Sequence, residues 1–200
     1  MGGKSSTITS AEERILSLQV QQSSQGLTLP VIYGRTRVAG NLIWYGDFVT
    51  IENKTTTRQG GKGGGGVKQV DIAYTYEAAV MLALCEGEIQ GVGRIWRDKE
   101  KFDSLAQLRL TLMRGDEQPL WTHLAQAKHQ NQALNYSGTA YLCSPNYELT
   151  KSAQIYQHNF EVIGKLGYSG NIPDANPRDI IRDLLTNQRY GCGFPVDSIG

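Results

Sequence analysis

The chain has few of the residue types that build covalent frameworks or membrane spans. Its 200 residues include three cysteines, and no two of them are spaced as C-x-x-C. Disulfide frameworks and zinc ribbons need paired cysteines, so neither is encoded. No apolar run approaches the ~18 residues that a membrane-spanning helix requires. The amino terminus, MGGKSSTITSAEER, also lacks the apolar stretch of a secretory signal.

An excess of charge of either sign is absent as well. Twenty lysines and arginines stand against 19 aspartates and glutamates. A protein that binds nucleic acid over much of its surface is expected to be strongly basic, and this chain is not. What is abundant is glycine, with 23 residues, and tyrosine, with 10 against four phenylalanines. This composition is typical of a turn-rich β protein with amphipathic aromatic side chains at its surfaces.

Patterns for catalysis or metal binding are sparse. His123, His129 and His158 lack the i, i+4 spacing of a helical zinc site, and a spacing of six puts the first two on different faces of a helix. They are interpreted as solvated or partner-facing. Serine and cysteine nucleophiles have no evident histidine base, and G-x-S-x-G is missing. The sequence therefore predicts no catalytic residue, no metal ligand and no cofactor.

The stretch from Gly61 to Gly66 satisfies G-x-G-x-x-G literally, but its context does not fit a nucleotide site. Such a loop follows a buried strand and opens a helix, whose amino terminus holds the phosphates. Here the polar run TTTRQ precedes it and the strand-like VKQVDIAYTY follows it. Lys62 is followed by Gly63, not by Ser or Thr, so a Walker A loop is excluded too.

The segment from Ile72 to Trp96, IAYTYEAAVMLALCEGEIQGVGRIW, is the most informative part of the chain. Small and apolar residues from Ala78 to Cys85 predict a long strand buried on both faces. The sequence EGE then indicates a turn at residues 86–88, followed by a short returning strand. We expect Trp96 to anchor that strand against the apolar run. Cys85 and Cys143, both in apolar segments, are predicted to be small core residues.

Further strands are predicted before this segment. Residues 15–22 alternate, with Leu16, Leu18 and Val20 on one face. Residues 31–38 and 42–52 flank a turn at 39–41 and are predicted to form a hairpin. The low-complexity run NKTTTRQGGKGGGGVK, residues 53–68, is predicted to be a mobile hairpin tip because it has almost no apolar surface to bury.

The second half predicts short elements and one clear helix. Residues 108–113 alternate as a strand, and Asp103-Ser104 could cap a short helical turn. Residues 121–133 have a moderate helical pattern, and residues 139–143 and 155–163 are typical of strands. Asn176-Pro177 is a favourable helix start, and Gly191 is placed for a left-handed cap. One face of this helix is apolar, and its members are Ile180, Ile181, Leu184 and Leu185.

Taken together, the patterns predict a mainly β (α+β) protein. Residues 1–13 are expected to be a flexible lead-in and residues 14–165 to form β-rich lobes. Residues 166–200 contain the helix.

Five motifs, in order along residues 28–195, resemble the tail-tip hub, or host-specificity, proteins of long-tailed bacteriophages and gene transfer agents. The family's C-E-G-x-I-x-G-I-x-x-I-W-x-D-G stands here as CEGEIQGVGRIWRDK, with Lys99 in place of the last glycine. P-x-x-Y-G-x-x-R-V-x-G is matched from Pro30 to Gly40, and Y-x-G-x-A-Y from Tyr136 to Tyr141. F-E-V lies at residues 160–162, and N-P-x-x-I-x-x-D-L-L-x-x-x-x-Y-G-x-G at residues 176–193.

This resemblance implies a structural, non-enzymatic subunit of the virion, made in the cytoplasm of the host bacterium. It implies hub-like barrel or sandwich lobes and a homotrimeric ring at the end of the tail tube. It also implies that residues 166–200 start a further hub region, which continues in a longer protein. The implied partners are the distal tail protein, the tape measure protein and, through regions beyond this chain, a host receptor. DNA passing the tail channel is a transient partner, and insertion into a membrane is not expected.

Two other functional hypotheses remain beside that of a structural subunit. Some tail tips degrade cell wall or capsule, and a hydrolase would use a carboxylate pair; the candidates are Glu86, Glu88, Asp98 and Asp103. A receptor- or carbohydrate-binding module would use exposed tyrosines. A basic strip facing the DNA channel is also conceivable; its residues would be Arg35, Arg37, Lys62 and Lys68.

Overall fold

The computed structural model describes residues 6–19, 28–59, 67–116, 118–165 and 175–199, and they are mainly β. The strands are β1 (Ser6–Ala11), β2 (Arg35–Ala39), β3 (Asn41–Gln59), β4 (Val67–Glu86), β5 (Gly91–Arg97), β6 (Glu100–Phe102), β7 (Thr111–Met113), β8 (Thr139–Glu148) and β9 (His158–Ile163). The helices are α1 (Pro177–Thr186) and 3₁₀ helices at Leu105–Leu108, Ala127–Gln132 and Val196–Ser198. The predicted fold class is confirmed. In these ranges, no helix is long and apolar enough to cross a membrane.

The first sheet is organised around β4. β3 pairs antiparallel along one whole edge of β4, from Gln59 opposite Val67 to Asn41 opposite Ala83. Two strands share the other edge: β1 runs parallel to residues 67–72, and β8 runs antiparallel to residues 77–86. β7 pairs with the far side of β8. Because β4 is so long, β1 and β8 pair with different stretches of it.

The second sheet has the strand order β2-β9-β5-β6, and all neighbours are antiparallel. The predicted hairpin of residues 31–38 and 42–52 is therefore wrong, since β2 pairs with β9 while β3 pairs with β4 in the other sheet. The chain crosses between the sheets at Gly40, where a Cβ would lie 2.9 Å from Phe160 Cε2. β3 pairs along its whole length with β4 this way, whereas β2 would have offered it a partner of only 5 residues. In the described residues neither sheet closes into a barrel.

From Ala78 to Cys85 both faces of β4 are buried, as the sequence predicted. The even-numbered face packs toward the second sheet; its buried residues are Tyr76, Ala78, Val80, Leu82 and Leu84. Phe160, Val162 and Ile95 meet this face from the second sheet. On the odd face, Met81 packs with Leu124 in a second apolar cluster. Cys85 and Cys143 are both buried, which confirms their core assignment.

Residues 114–138 supply the cover over the odd face. The helix predicted at residues 121–133 is wrong: residues 122–125 form turns and Ala127–Gln132 is a 3₁₀ helix. Leu124 N–H donates to the Trp121 carbonyl at 2.9 Å, and His129 N–H donates to the Gln126 carbonyl at 2.9 Å. Short turns of this kind allow Trp121 and Leu124 to contact the sheet while the chain stays irregular.

The far ends of β3 and β4 form an arm with β1. We define the arm as β1, residues 51–59 and residues 67–75. No described side chain of the arm is buried, and residues 51–58 are all exposed. Residues 53–59 and 67–68 are paired strand, so the prediction of a loop at those positions is wrong. Thr55, Thr56 and Thr57 are β-forming residues that need only backbone pairing. Residues 60–66, the rest of the predicted tip, lie outside the described residues.

The amino-terminal predictions also change. Residues 6–11, expected within a flexible lead-in, form β1 because backbone pairing with β4 requires no apolar side chain. Residues 15–19 do not form the strand predicted at residues 15–22, although Leu18 and Ile15 pack against the main core. The rest of that prediction, residues 20–22, lies outside the described residues.

β5 returns to the second sheet and does not pair with β4. Ile95 is 1% exposed and faces the core, whereas Trp96 is half-buried on the opposite face of the strand. The Arg37 guanidinium lies 4.2 Å from the Trp96 ring centroid. The expectation that Trp96 anchors β5 against β4 is therefore wrong, because strand alternation gives that position to Ile95.

Capping residues behave as the sequence indicated at two helix starts. Ser104 accepts a hydrogen bond from Ala106 N–H at 3.2 Å, and Asn176 accepts one from Arg178 N–H at 2.9 Å. Of the strand predicted at residues 108–113, only Thr111–Met113 forms. The left-handed cap at Gly191 is wrong: α1 ends at Thr186, and the glycine with positive φ is Gly193. Gly191 instead allows a close approach, since a Cβ there would lie 2.3 Å from the Leu184 carbonyl oxygen.

Candidate functional site

Side chains from distant parts of the sequence meet where α1 docks on the strands. The Asp183 carboxylate accepts hydrogen bonds from Tyr33, from Tyr190 at 2.7 Å and from Lys165 at 2.9 Å. Lys165 Nζ also donates to the Tyr190 hydroxyl at 2.6 Å. Lys165 follows β9 after Gly164, and its backbone bridges to Tyr33. These four side chains thus tie α1 to the end of the second sheet where β2 begins and β9 ends.

The electrostatics of this group match its hydrogen bonds. Burial alone would raise the pKa of Asp183, but the hydrogen bonds from Tyr33, Lys165 and Tyr190 outweigh it and lower the pKa. Burial and the same carboxylate raise the pKa of both tyrosine hydroxyls. Asp183 is therefore ionised while both tyrosines remain protonated donors. Charge-assisted hydrogen bonds of this kind are stronger than neutral ones.

A second set of contacts lies next to the first. The Arg189 guanidinium donates to the Glu86 carboxylate and, at 2.7 Å, to the Ser137 carbonyl. Gly138 has φ +80°, and a Cβ there would lie 2.3 Å from Arg189 Nη1. Gly87 has φ +82° and donates its N–H to the Gly138 carbonyl at 2.7 Å. Both glycines are therefore required by backbone conformation, and Gly138 also by space.

We call these contacts together the motif junction. Its residues are Tyr33, Glu86, Gly87, Gly138, Lys165, Asp183, Arg189 and Tyr190. Four of the five sequence motifs contribute to it, and the remaining one, residues 160–162, lies in β9 just before Lys165. The sequence showed the motifs separately, but it could not show that they meet.

The predicted basic strip forms only in part. Arg35 and Arg37 lie on the outer face of the second sheet, where Glu161 receives two hydrogen bonds from the Arg94 guanidinium at 3.2 and 2.8 Å. Arg94 lowers the pKa of Glu161 to about 2, so this carboxylate offsets part of the positive charge. Lys68 belongs to the arm in the first sheet, and Lys62 lies outside the described residues.

The candidate hydrolase carboxylates have separate environments. Glu86 is bound by Arg189, and Asp98 accepts from Gln157 N–H at 3.3 Å in the turn between β5 and β6. Asp103 is exposed beside Lys101 at 3.9 Å, and Glu88 is exposed after the turn at Gly87. A groove of about 950 Å³ lies beside Gly40, and no aspartate or glutamate is among its described lining residues.

A cluster of different chemistry lies on the odd face of the first sheet. The same carboxylate oxygen, Asp47 Oδ2, is 2.7 Å from His123 Nε2, 2.9 Å from His129 Nε2 and 2.7 Å from Lys128 Nζ. The histidine side chains are 11% and 10% exposed, and that of Asp47 is 24% exposed. We call Asp47, His123 and His129 the His–Asp cluster.

The fold shapes this cluster through an irregularity in β3. The pairing register of β3 with β4 shifts between Gly46 and Val49, and Asp47 there has φ +49°. Aspartate tolerates this left-handed conformation better than most residues. Gly46 leaves room for Trp44, since a Cβ would lie 2.9 Å from its ring. The bulge thus turns the Asp47 carboxylate toward the cover formed by residues 114–138.

Aromatic rings hold the two histidines. The Trp44 ring meets the His129 ring edge-on at 5.2 Å between centroids, and the Trp121 ring stacks on that of His123 at 4.8 Å. Trp44 Nε1 donates to Gln132 at 2.8 Å, which fixes the indole. Burial alone would raise the pKa of Asp47, but the hydrogen bonds from Lys128, His129 and His123 lower it to about 2. The carboxylate is therefore ionised at neutral pH.

Sequence reasoning did not bring these residues together. In an α-helix, a spacing of six would place His123 and His129 on different faces. The segment is not an α-helix, however, and both imidazole rings point at the same carboxylate. Asp47 lies 76 residues before His123. The only local signals in the sequence for this cluster were the aromatic residues at positions 44 and 121 and the glycine at position 46.

Comparisons with known proteins give few matches. No protein-family model matches the chain, and no curated protein matches it. A chain in a solved structure described as "Virion of native gene transfer agent (GTA) particle" is similar, with 25% identity and a TM-score of 0.49. The match covers 84% of the present chain and 31% of that chain. A TM-score this low does not establish a common fold.

Proposed function

We propose that this chain is a structural subunit of a bacteriophage tail tip, the baseplate hub that caps the tail tube and links it to host-recognition elements. The observation that carries the proposal is the motif junction. Residues that resemble the hub family at separate places in the sequence contact one another through hydrogen bonds and ion pairs. A chance resemblance would not be expected to select residues that depend on each other.

The arm supports a role in assembly. It extends β3 and β4 away from the core, and none of its described side chains is buried, although Tyr74 at its base packs against the core cluster. Ile8, Ile51 and Val67 are 58%, 37% and 37% exposed on it. Three strands with no buried face are only marginally stable alone, so a neighbouring subunit that covers them would be stabilising.

The finer features of the proposal follow the resemblance. The subunit forms a homotrimeric ring in the virion and contacts the distal tail protein and the tape measure protein. Host receptors are reached through regions that this chain does not include. Arg35, Arg37 and Arg94, exposed on the second sheet, are the candidates for transient contact with DNA in the channel.

The proposal is tested in the phage or particle that encodes the chain. Particles made without it should lack the tail tip and fail to deliver DNA, as seen by electron microscopy and transduction. Complementation should succeed with the unchanged chain and with the exposed-site control Glu88→Gln, and should fail with Asp183→Asn/Tyr190→Phe, which breaks the motif junction. Complete tails without the chain would refute the proposal.

The positions of the four candidate carboxylates do not support the hydrolase hypothesis. Glu86 is paired with Arg189 and holds the junction, and the other three candidates lie at exposed or turn positions. Purified chain is expected to release no sugar or peptide from peptidoglycan or capsule. Activity that disappears in Asp98→Asn or Glu88→Gln, with the fold intact by circular dichroism, would revive the hydrolase.

A further inference from the structure

We propose that the His–Asp cluster is a binding site for a Zn²⁺-type transition-metal cation. The ligand atoms of Asp47, His123 and His129 all lie within 4.8 Å of one another. Tetrahedral zinc with bonds of about 2.0–2.1 Å places neighbouring ligand atoms roughly 3.3 Å apart. The Nε2–Oδ2 distances of 2.7 and 2.9 Å therefore need to open by less than about 1 Å.

The donor set points to the class of metal. Two imidazole nitrogens and one carboxylate oxygen suit zinc and the neighbouring first-row cations, whereas Mg²⁺ and Ca²⁺ prefer oxygen ligands throughout. Three protein ligands leave a fourth position, which water would fill on the side where Asp47 is exposed. Neither cysteine of the core reaches the cluster's ligand set.

The residues around the His–Asp cluster hold its ligand groups in fixed positions, as expected of a binding site. Trp44 and Trp121 support the two imidazole rings, whose centroids lie 5.2 Å apart. An apolar shell of this kind holds ligands in place and strengthens their interaction with a cation. The carboxylate is aimed at both rings by a backbone conformation that is uncommon for a residue other than glycine.

Lys128 is the competitor of the metal. Its ammonium group occupies the same Asp47 oxygen at 2.7 Å, but its side chain is 54% exposed and can move into water. Removing it should therefore strengthen zinc binding. If the cluster were only a hydrogen-bonded network, the same change would weaken the network and have no effect on zinc. Lys128→Ala is thus the variant that separates the two cases.

The test measures Zn²⁺ binding by isothermal titration in a Cys192→Ser background, because the exposed Cys192 thiol could bind zinc independently. We expect one Zn²⁺ per chain. Asp47→Asn, His123→Gln and His129→Gln should each weaken binding at least tenfold, and Lys128→Ala should strengthen it. His158→Gln is the matched histidine control, and it should leave the affinity unchanged.

A second measurement does not depend on the variants folding. Co²⁺ added to the unchanged chain should give visible absorption bands of a low-symmetry nitrogen and oxygen site, and equimolar Zn²⁺ should remove them. Absence of both zinc binding and cobalt bands overturns the proposal. Binding that is the same in Asp47→Asn and His129→Gln, each shown to be folded in EDTA by circular dichroism, also overturns it.

Discussion

At the scale of single residues, His158 shows how burial sets a protonation state. The side chain is 5% exposed, and its ring stacks on Phe160 at 5.5 Å between centroids. Nδ1 donates to the Tyr156 carbonyl at 2.8 Å, and Nε2 accepts from the Tyr147 hydroxyl at 3.1 Å. Burial lowers the pKa of His158 to about 4, even though the Tyr156 carbonyl opposes that shift.

This histidine predicts a loss of stability at mildly acid pH. Between pH ~6.5, where an unfolded histidine is half-protonated, and about 4, the unfolded chain binds a proton that the folded chain does not. The free energy of unfolding should therefore fall as pH falls through this window, by up to about 3 kcal/mol. Urea denaturation at several pH values between neutral and acid measures it.

His158→Gln is the control for that window. It should be less stable at neutral pH, but the dependence on pH across the window should flatten. The comparison is clearest above pH ~5. Below that pH, Glu161 and Asp47 also lower the stability, because their pKa values fall from 4.5 and 3.8 to about 2 on folding, and the unfolded chain takes up protons that the folded carboxylates do not. An unchanged dependence in the variant would show that other groups cause the loss.

The three cysteines should differ sharply in reactivity. Burial raises the pKa of the Cys85 and Cys143 thiols to about 12 each, whereas Cys192 is exposed. Since the thiolate is the reactive form, a disulfide reagent should modify one thiol per native chain. In guanidinium, all three thiols of the unfolded chain should react with the reagent. In the native Cys192→Ser variant, none should react. Fast reaction of a second thiol in the native chain would contradict the buried positions.

At the scale of elements, β5 illustrates alternation across a strand. Ile95 faces the core at 1% exposure, and Trp96 lies on the outer face under Arg37. Ile95→Ala should cost about 2–5 kcal/mol of unfolding free energy, the range for truncation of buried aliphatic residues. Trp96→Ala should cost less, despite the larger side chain. Chemical denaturation of both variants checks this order, and the reverse order would mean that Trp96 is the core residue.

Docking of α1 depends on Asp183 more than on apolar contact. No residue of α1 is buried, and Ile181 and Leu184 are 58% and 41% exposed. Asp183→Asn removes a charge that accepts three hydrogen bonds, which should weaken docking by ~1–3 kcal/mol. Amide exchange should then become faster in α1 while that of β4 is unchanged. The exposed Asp197→Asn variant serves as control, and equal exchange in all three proteins would place the docking energy elsewhere.

At the scale of the whole molecule, we expect the arm to be needed for assembly but not for folding of the core. A variant can replace residues 56–70 by Asn-Gly, which joins the paired residues Thr55 and Asp71 by a two-residue turn. Because no described side chain removed is buried, thermal stability of the core should change little. We expect self-association and incorporation into tails to be lost. Light scattering and calorimetry measure the two properties.

Two outcomes would contradict this separation. A large drop in melting temperature would show that the arm supports the core. Normal incorporation into tails would remove its role in assembly. A smaller deletion, of residues 60–66 only, tests whether the glycine-rich stretch contributes beyond the paired strands.

The elements predicted correctly are those whose signal is local. The apolar run from Ala78 to Cys85 lies between two β-favouring tyrosines and the turn at residues 86–88, and Asn176-Pro177 carries its own capping chemistry. Ser104 likewise caps the turn that follows it. Predictions failed where the pattern was compatible with several partners. The strands around Gly40 were assigned to one hairpin because nearby strands usually pair, but β3 has a far longer partner in β4, and β2 pairs with β9.

The sequence by itself determined the β class, the central strand β4, the start of α1 and the motifs that resemble a tail hub. Only the tertiary structure decided which strands share a sheet, which face Trp96 takes and which distant residues meet. Strand pairing depends on the summed burial of both faces and on backbone hydrogen bonds over long separations. Asp47 and His129 are 82 residues apart, and they meet because a bulge and a cover segment bring them together. No short-range pattern encodes such a contact.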